Sequence, residues 1–433
     1  MYRMNTFIKF MEDKIVPVAG KVSSNKYLKS ISAGSMSLLS IIMVGAIFSI
    51  FTNISWEPYN NFMANYGLDR MVAFIPQVTT NLLAIYMAFS IAYNAAKNFE
   101  NENYAFSSGI LSLVCFMLLV PLDTLSLEGA SLYNVNYLGT RGIFVAIITG
   151  IVVARVLAFI IKKDIRIKMP DGVPPIVSES FSALIAAIII LVVFILVKVG
   201  FENTSYGCFN DFIYKIIQTP LQELTGNLSA FLICVVLAQI LWFFGVHGSF
   251  TILPIMIPIW LGFMGENQAA IASGAAIPNP LNIGMWDLAN LGGSGATIGL
   301  VILMFFFAKS EQYKSFSRIA FPCGIFSVNE PVIFGTPIIL NPIMLIPFVL
   351  CPVILVVLGY VLVQLGIVVA PIGMLGVGSM PPLISGIMQG SVSWGIFQLV
   401  AVVISLVIYY PFFKIIDKQA LENEKNSEAE VNA

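Results

Sequence analysis

Charge is what this chain has least of. Lys, Arg, Asp and Glu together make up 10% of its 433 residues, and 58% are hydrophobic, whereas a soluble domain carries about a quarter charged residues. That balance excludes a water-soluble globular fold and predicts an all-α polytopic membrane protein. With a formal net charge of -1, the chain offers no basic excess for a polyanion, so no nucleic-acid partner is expected. Histidine occurs once, at His247. The five cysteines, Cys115, Cys208, Cys234, Cys323 and Cys351, include no CxxC pair and fall mostly in apolar runs, so neither a disulfide framework nor a metal site is indicated. Cys323, in Phe321-Pro322-Cys323-Gly324, has nothing nearby in sequence to lower its pKa and is not read as a nucleophile. No metal-ligand cluster and no nucleotide-binding loop is present, so no cofactor is expected. A cleavable signal is missing too. Met1 to Lys29 is amphipathic, carries Lys9, Lys14, Lys21, Lys26 and Lys29, and reads as a cytoplasmic or interfacial segment (residues 1–30) leading into the first span.

One long interval is emptier still. Between Arg318 and Lys414 there is no Lys, Arg, His or Asp, and Glu330 is the one formal charge. A charged side chain in a bilayer costs several kcal/mol and marks, by default, a substrate or ion path facing a bundle interior or wet cavity. Pro331, Pro337 and Pro342 each remove a backbone donor and Gly335 loosens the turn, so no straight helix is expected from Phe321 to Pro342. Broken backbone at membrane depth lines a cavity or packs in protein. Asn329 and Asn341 flank the carboxylate, and side-chain amides there suit hydroxyl ligands. The alternative is a Glu that bonds stray amides at a kink.

About 20 apolar residues span a bilayer as a helix, which gives five candidates in the first half: Ile31 to Ile54, Met71 to Ala96, Ala105 to Val120, Leu138 to Ile161 and Ser180 to Phe201. The loops at Lys97 to Tyr104 and Lys162 to Lys168 carry the basic residues, while Ser55 to Leu68 and Asp123 to Tyr137 are polar or acidic with aromatics. Basic loops stay in the cytoplasm, so the N-terminus is expected inside. Residues 31–201 form the expected N-terminal five-span domain and 202–227 an outer connector.

In the second half, Leu228 to Val246, Phe250 to Met264, Ser294 to Ala308, Ile343 to Val369 and Leu383 to Phe413 read as spans. Two further segments are too interrupted to cross simply. Gly265 to Gly293, with Glu266, Asn267, Gln268, Asn279, Pro280, Asn282, Trp286, Asp287 and Asn290, is expected to dip in from outside, and Ile319 to Asn341 from the cytoplasm. Interrupted segments entering from opposite faces point to a transporter site near the midplane. The expectation is ten spans plus two re-entrant hairpins, residues 228–414 forming a transport domain, and 415–433 a short, acidic, disordered cytoplasmic tail.

His247 follows Gly245 and the aromatic run Trp242-Phe243-Phe244. A neutral imidazole both donates and accepts, which suits a sugar hydroxyl, and aromatic faces suit the C–H face of a pyranose. Trp242, Trp286 and Trp394 are the candidate rings, with anchoring at the membrane interface as the plainer alternative.

With both stretches in hand, the chain resembles the membrane-embedded IIC component of the bacterial sugar phosphotransferase system, of the lactose/cellobiose/diacetylchitobiose family. The likeness rests on Lys168-Met169-Pro170-Asp171-Gly172-Val173-Pro174-Pro175 with Ser180-Phe181-Ser182-Ala183-Leu184, on Leu241 to Ser249, on Leu291-Gly292-Gly293-Ser294-Gly295-Ala296-Thr297, on Phe321 to Pro347, and on Ile408-Tyr409-Tyr410-Pro411-Phe412-Phe413-Lys414. It implies a homodimer built through the first five spans and a disaccharide bound near His247, Asn329 and Glu330. It further implies a IIB protein, charged through IIA, that carries phosphate on a cysteine and phosphorylates the sugar 6-hydroxyl. Separate IIA and IIB chains are expected, since no soluble domain follows Lys414. Two departures stand out: Gly378-Ser379-Met380-Pro381-Pro382 where the family carries an aromatic, and Glu179 where it often carries a basic residue. The first leaves the choice of second sugar open.

The expected roles are Glu330 as acceptor or base for the 6-hydroxyl and His247 as orienter of the ring, with Asn329, Asn282, Trp242, Asn341 and Trp286 as further substrate contacts. Whether the chain counts as an enzyme is left open, because the phosphate donor sits on another protein. The competing class is a proton-coupled secondary sugar transporter that uses Glu330 as its proton site. A membrane scaffold without transport would leave the isolated Glu unexplained.

Overall fold

The computed structural model describes residues 16–52, 57–127, 130–167, 169–170, 172–173, 175–336 and 338–431. Residues 1–15 of the expected interfacial segment, Lys168, Asp171, Pro174 and Pro337 lie outside the described residues. Among the described residues the chain divides into two packing units: one is 22–224 with 253–275, the other 225–252 with 276–431, to which residues 16–21 also belong.

The first unit holds α2 (Lys26–Met36), α3 (Leu39–Thr52), α4 (Glu57–Asn65), α5 (Leu68–Val78), α6 (Leu83–Asn98), α7 (Ala105–Leu119), α8 (Ile143–Lys162), α9 (Pro175–Glu202), α10 (Phe209–Ile213) and α11 (Thr219–Thr225), after a leading α1 (Val16–Ser24). Asn25 breaks α1 from α2 because its side chain accepts from Tyr27 N and Leu28 N at 2.9 and 3.2 Å, an N-cap that starts a new helix. At the centre lies α6, whose Ala84, Ala88, Ala92, Ala95 and Ala96 are fully buried. Small faces let membrane helices approach closely, and hydroxyls bond across the joints: Ser90 Oγ donates to Gly34 O at 2.8 Å and Ser112 Oγ to Ala88 O at 2.7 Å.

The fold is helical as expected, and the polar connection expected at Asp123 to Tyr137 holds a short hairpin. Leu122–Leu127 (β1) and Ala130–Tyr133 (β2) pair antiparallel, Leu122 with Tyr133 and Leu127 with Ala130. The segment is too short and too polar to span, and a ladder satisfies its backbone instead.

The second unit contains α12 (Leu228–Phe243), the start of α13 (Gly248–Ala272), α14 (Ile283–Ala289), α15 (Ile298–Phe307), α16 (Glu311–Ile325), α17 (Glu330–Gly335), α18 (Pro342–Gln364), α19 (Ile384–Met388) and α20 (Val392–Val431). Helix α13 overruns the expected end at Met264, so the interrupted stretch begins only after Ala272. Its later part, inside the interval 228–414, packs with the first unit, where a Cβ on Gly265 would overlap the Thr140 side chain. There Gln222 Nε2 donates to Glu266 Oε1 at 3.0 Å.

Among the described residues seven helices are long and apolar enough to cross a membrane, and a pair bent by 77°, Phe209–Thr225 with Leu228–Phe243, makes an eighth if counted as one span. Three expected spans fall short. Ile31 to Ile54 is divided between α2 and α3, Leu228 to Val246 belongs to the bent pair, and Ser294 to Ala308 is helical only over α15 because 292–297 is a turn.

The expected disordered tail is instead the end of α20, helical to Val431. Asp417 explains part of that order. Its carboxylate accepts from Lys309 N (2.9 Å), Ser310 N (3.0 Å) and Ser310 Oγ (2.8 Å), and Glu424 accepts from Glu311 N and Gln312 N at 3.2 and 2.8 Å. Both acids cap the start of α16, where the orphan amides and the positive end of the helix dipole favour negative charge. Replacing Asp417 by Ala leaves buried donors without an acceptor, at about 1 to 3 kcal/mol per group. We expect Asp417→Ala to melt several degrees below the parent in detergent; an unchanged melting temperature would show the cap to be energetically idle.

Candidate functional site

The two halves of the site are made by one device used twice. Helix α12 ends with Gly245 in the left-handed region (φ 76°), Gly245 N bonding to Trp242 O at 2.9 Å and Val246 N to Leu241 O at 3.0 Å. Helix α16 ends the same way with Ser327 (φ 58°), Ser327 N bonding to Gly324 O and Val328 N to Cys323 O, both at 3.0 Å. Each is a Schellman closure, which satisfies the last carbonyls and turns the chain sharply. His247 follows the first and Asn329-Glu330 the second. Pro331 and Pro342 then sit in the first turns of α17 and α18, where a missing N–H costs nothing; they open helices, while Pro322 is the proline inside α16.

His247 Nε2 stands 3.6 Å from Glu330 Oε1, the side chains 28% and 48% exposed. That separation is too long for a direct hydrogen bond. On its other side the imidazole accepts from Phe250 N at Nδ1, 3.2 Å. The ring is held between Phe250, stacked at 3.7 Å and 12°, and Trp242 at 4.2 Å and 44°. An Nδ1 that accepts leaves Nε2 to carry the proton of the neutral ring, so a buried N–H donor without a hydrogen-bond partner among the described residues faces a carboxylate acceptor 3.6 Å away.

The remaining expected contacts are placed differently. Trp242 is 2% exposed and lies beneath His247. Trp286 and Trp394 are buried in the core. The aromatics that flank the pair in the open are ones the sequence reading passed over: Phe250, 62% exposed, and Phe334, 67% exposed with its ring 6.3 Å from that of Trp242. Their spacing was a usable signal, since Phe250 is three residues after His247 and Phe334 four after Glu330, the intervals that share a helix face.

The three asparagines are committed to protein. Asn329, buried, donates through Nδ2 to Ser294 O at 2.6 Å and Thr297 Oγ1 at 2.8 Å. Asn282, fully buried, donates to Asn279 O and Pro371 O and accepts from Gly284 N. Asn341 accepts from Ile343 N and Met344 N as the cap of α18. Capping and loop pinning therefore use the Nδ2 of Asn329, both ends of the Asn282 amide and the Oδ1 of Asn341. A second interior carboxylate, Asp287, accepts from Gln389 Nε2 at 3.1 Å, while Gln389 also binds Gly373 N, Met374 N and Met374 O.

A bundle of apolar helices whose broken segments bring a carboxylate and an imidazole to an open aromatic face is the build of a membrane carrier for polar solutes. The family described as "Phosphotransferase system, EIIC" matches residues 32–352. The cellobiose-specific EIIC component of Geobacillus stearothermophilus is 36% identical over 98% of this chain and 97% of its own length, and the lichenan permease IIC component of Bacillus subtilis is 33% identical with the same coverage. Among solved structures, the transporter ChbC, the IIC component of the N,N'-diacetylchitobiose-specific phosphotransferase system, superposes with a TM-score of 0.89 at 36% identity, covering 96% of this chain and 99% of that one. The chain belongs to the EIIC family of the phosphotransferase system and is an integral membrane protein.

Because the chain has one histidine, nitrogen-15 histidine labelling reports on this site alone. At neutral pH the ring should show an unprotonated Nδ1 and a protonated Nε2; a protonated Nδ1 would contradict the Phe250 bond.

Proposed function

We propose that this chain carries a β-linked disaccharide across the cell membrane and presents it between Glu330 and His247 to a phosphorylated IIB protein, itself recharged by IIA. The single observation that carries the reading is the gap of 3.6 Å between Nε2 and Oε1. A hydroxyl oxygen about 2.8 Å from each atom accepts from Nε2–H and donates to Oε1. The flanking faces of Phe250 and Phe334 offer C–H packing for a sugar ring. The sugar class follows from the relatives, whose names carry cellobiose, lichenan and diacetylchitobiose.

In the transfer step the sugar O6 attacks the phosphorus of the IIB phosphocysteine as Glu330 takes the hydroxyl proton. The S–P bond breaks, the sulfur leaves as thiolate and the sugar leaves as its 6-phosphate. Positioning and charge placement supply the catalysis, and no cofactor enters. The bound-sugar reading makes Glu330 and His247 the groups that touch the reacting hydroxyl.

The topology we infer keeps ten spans, two re-entrant hairpins and both termini in the cytoplasm, supported by the basic residues at Lys97, Lys162 and Lys163. Dimerisation through the first unit is supported by α9, whose Ile188, Val192 and Leu196 are 50% or more exposed along a helix with only 17% of its apolar window buried. Cysteines at Lys163 and Lys418 should label from the cytoplasm only, and one at Thr204 from outside only. Labelling of 163 and 418 from opposite faces would end the ten-span topology.

Glu330→Gln keeps the volume and removes charge and basicity. Sugar affinity, measured by calorimetry, should weaken modestly, while phospho-IIB-dependent sugar phosphate formation in vesicles falls by roughly 10² to 10⁴. A variant that phosphorylates at the parent rate would remove Glu330 from the chemistry. Loss of pH-driven uptake with no need for IIB would instead identify a proton-coupled carrier.

A further inference from the structure

We propose that the turn 292–297 sets the separation of His247 and Glu330, and that Asn329 is its positioning residue and no sugar ligand. The inference rests on the reading of that pair as the sugar site. Ser294 lies at the junction of the two halves. Its carbonyl accepts from Asn329, the residue before Glu330, and its hydroxyl shares a 3.2 Å hydrogen bond with the hydroxyl of Ser249, two residues after His247. One residue thus touches both arms that carry the pair.

The turn is built to hold the Asn329 side chain. Gly293, at φ 96°, has no room for a Cβ, which would overlap the Asn329 amide. Thr297 Oγ1 accepts from Asn329 Nδ2 while donating to Gly292 O at 2.7 Å. The turn's own carbonyls are fixed from behind by α20: Tyr409 OH donates to Gly295 O at 2.8 Å, and Ser405 Oγ to Ala296 O at 2.6 Å. Tyr409 and Ser405 are both fully buried. Asn329 has spent both amide hydrogens on the turn, and it is 3% exposed beside a Glu330 side chain that is 48% exposed. A group that binds a hydroxyl directly would present its donors to the open side. This one presents them inward.

The test combines a spectroscopic and a kinetic arm on the full chain. Nitrogen-15 histidine spectra of Asn329→Asp, Thr297→Val and Thr297→Ser report the environment of His247 without reference to sugar. Asn329→Asp and Thr297→Val should each shift the ring signals. They should also lower phospho-IIB-dependent sugar phosphorylation by about tenfold or more, with cellobiose affinity changed by less than about threefold. Thr297→Ser keeps the hydroxyl and should behave as the parent. The effect of the double variant should fall short of the two single effects combined, since the two side chains share the Asn329–Thr297 bond. Ring signals that stay put in folded Thr297→Val would overturn the proposal. So would a large affinity loss in Asn329→Asp that disappears when the sugar lacks one hydroxyl, the signature of direct contact. Should Asn329→Asp fail to fold, the Thr297 pair still decides, because Val and Thr share a shape. If the parent forms no sugar phosphate, the functional reading fails while the ring signals still judge the turn.

Discussion

A backbone that breaks inside a membrane must find partners for every amide and carbonyl it frees, because lipid supplies none. The second unit is organised by that requirement. At the ends of α12 and α16 the carbonyls of Leu241, Trp242, Cys323 and Gly324 are taken by amides just past the turn, so a sharp change of direction keeps them satisfied. Between α14 and α15 eight consecutive residues, 290–297, are non-helical, and four of their carbonyls are taken by the side chains of Thr297, Asn329, Tyr409 and Ser405. The polar side chains buried here are mostly substitutes for water at a broken backbone. Glu330 and the Nε2 of His247 stand apart because they face each other 3.6 Å apart with no direct hydrogen bond between them.

This division explains what could be read in the chain and what could not. Scarcity made Glu330 and His247 visible: one charge in a long apolar interval and one histidine in the whole protein need no coordinates to be noticed. The asparagines were ambiguous because an amide that caps a helix and an amide that binds a hydroxyl look alike in one dimension. Asn341-Pro342 before an apolar run is nonetheless a start signal that favours capping. Ser327 gave no warning at all, since a left-handed serine is set by the close of α16 and not by its own preference. The ends of the helices could not be read where the composition carries no charge through a turn, as from Ser294 to Thr297. The β1–β2 hairpin was overlooked because a hydropathy ruler of about 20 residues passes over four- and six-residue strands.

The site also shows why composition alone misplaces the aromatic surface. Tryptophan draws attention, yet Trp242, Trp286 and Trp394 supply bulk to the core. Phe250 holds the imidazole in plane and shows its outer face. Phe334 projects from the first turn after Glu330, on a helix too short to bury it. Exposure of these rings follows from their closeness to the two chain breaks, where no neighbouring helix can cover them.

Helix α20 is continuous from Val392 to Val431, and it is bonded at two levels: through Ser405 and Tyr409 to the 292–297 turn, and through Asp417 and Glu424 to the start of α16. From 405 to 424 a helix advances about 28 Å at 1.5 Å per residue. A bar fastened at one level to the turn that holds Asn329 and at the other to the start of the helix that leads into Glu330 acts as a splint, so the carboxylate has little freedom to tilt by itself. Any rotation of the hairpin carries the far end of the bar with it, and a small angle at the binding level becomes a displacement of several ångströms at the tail. The tail is thereby an indicator needle for the orientation of the site.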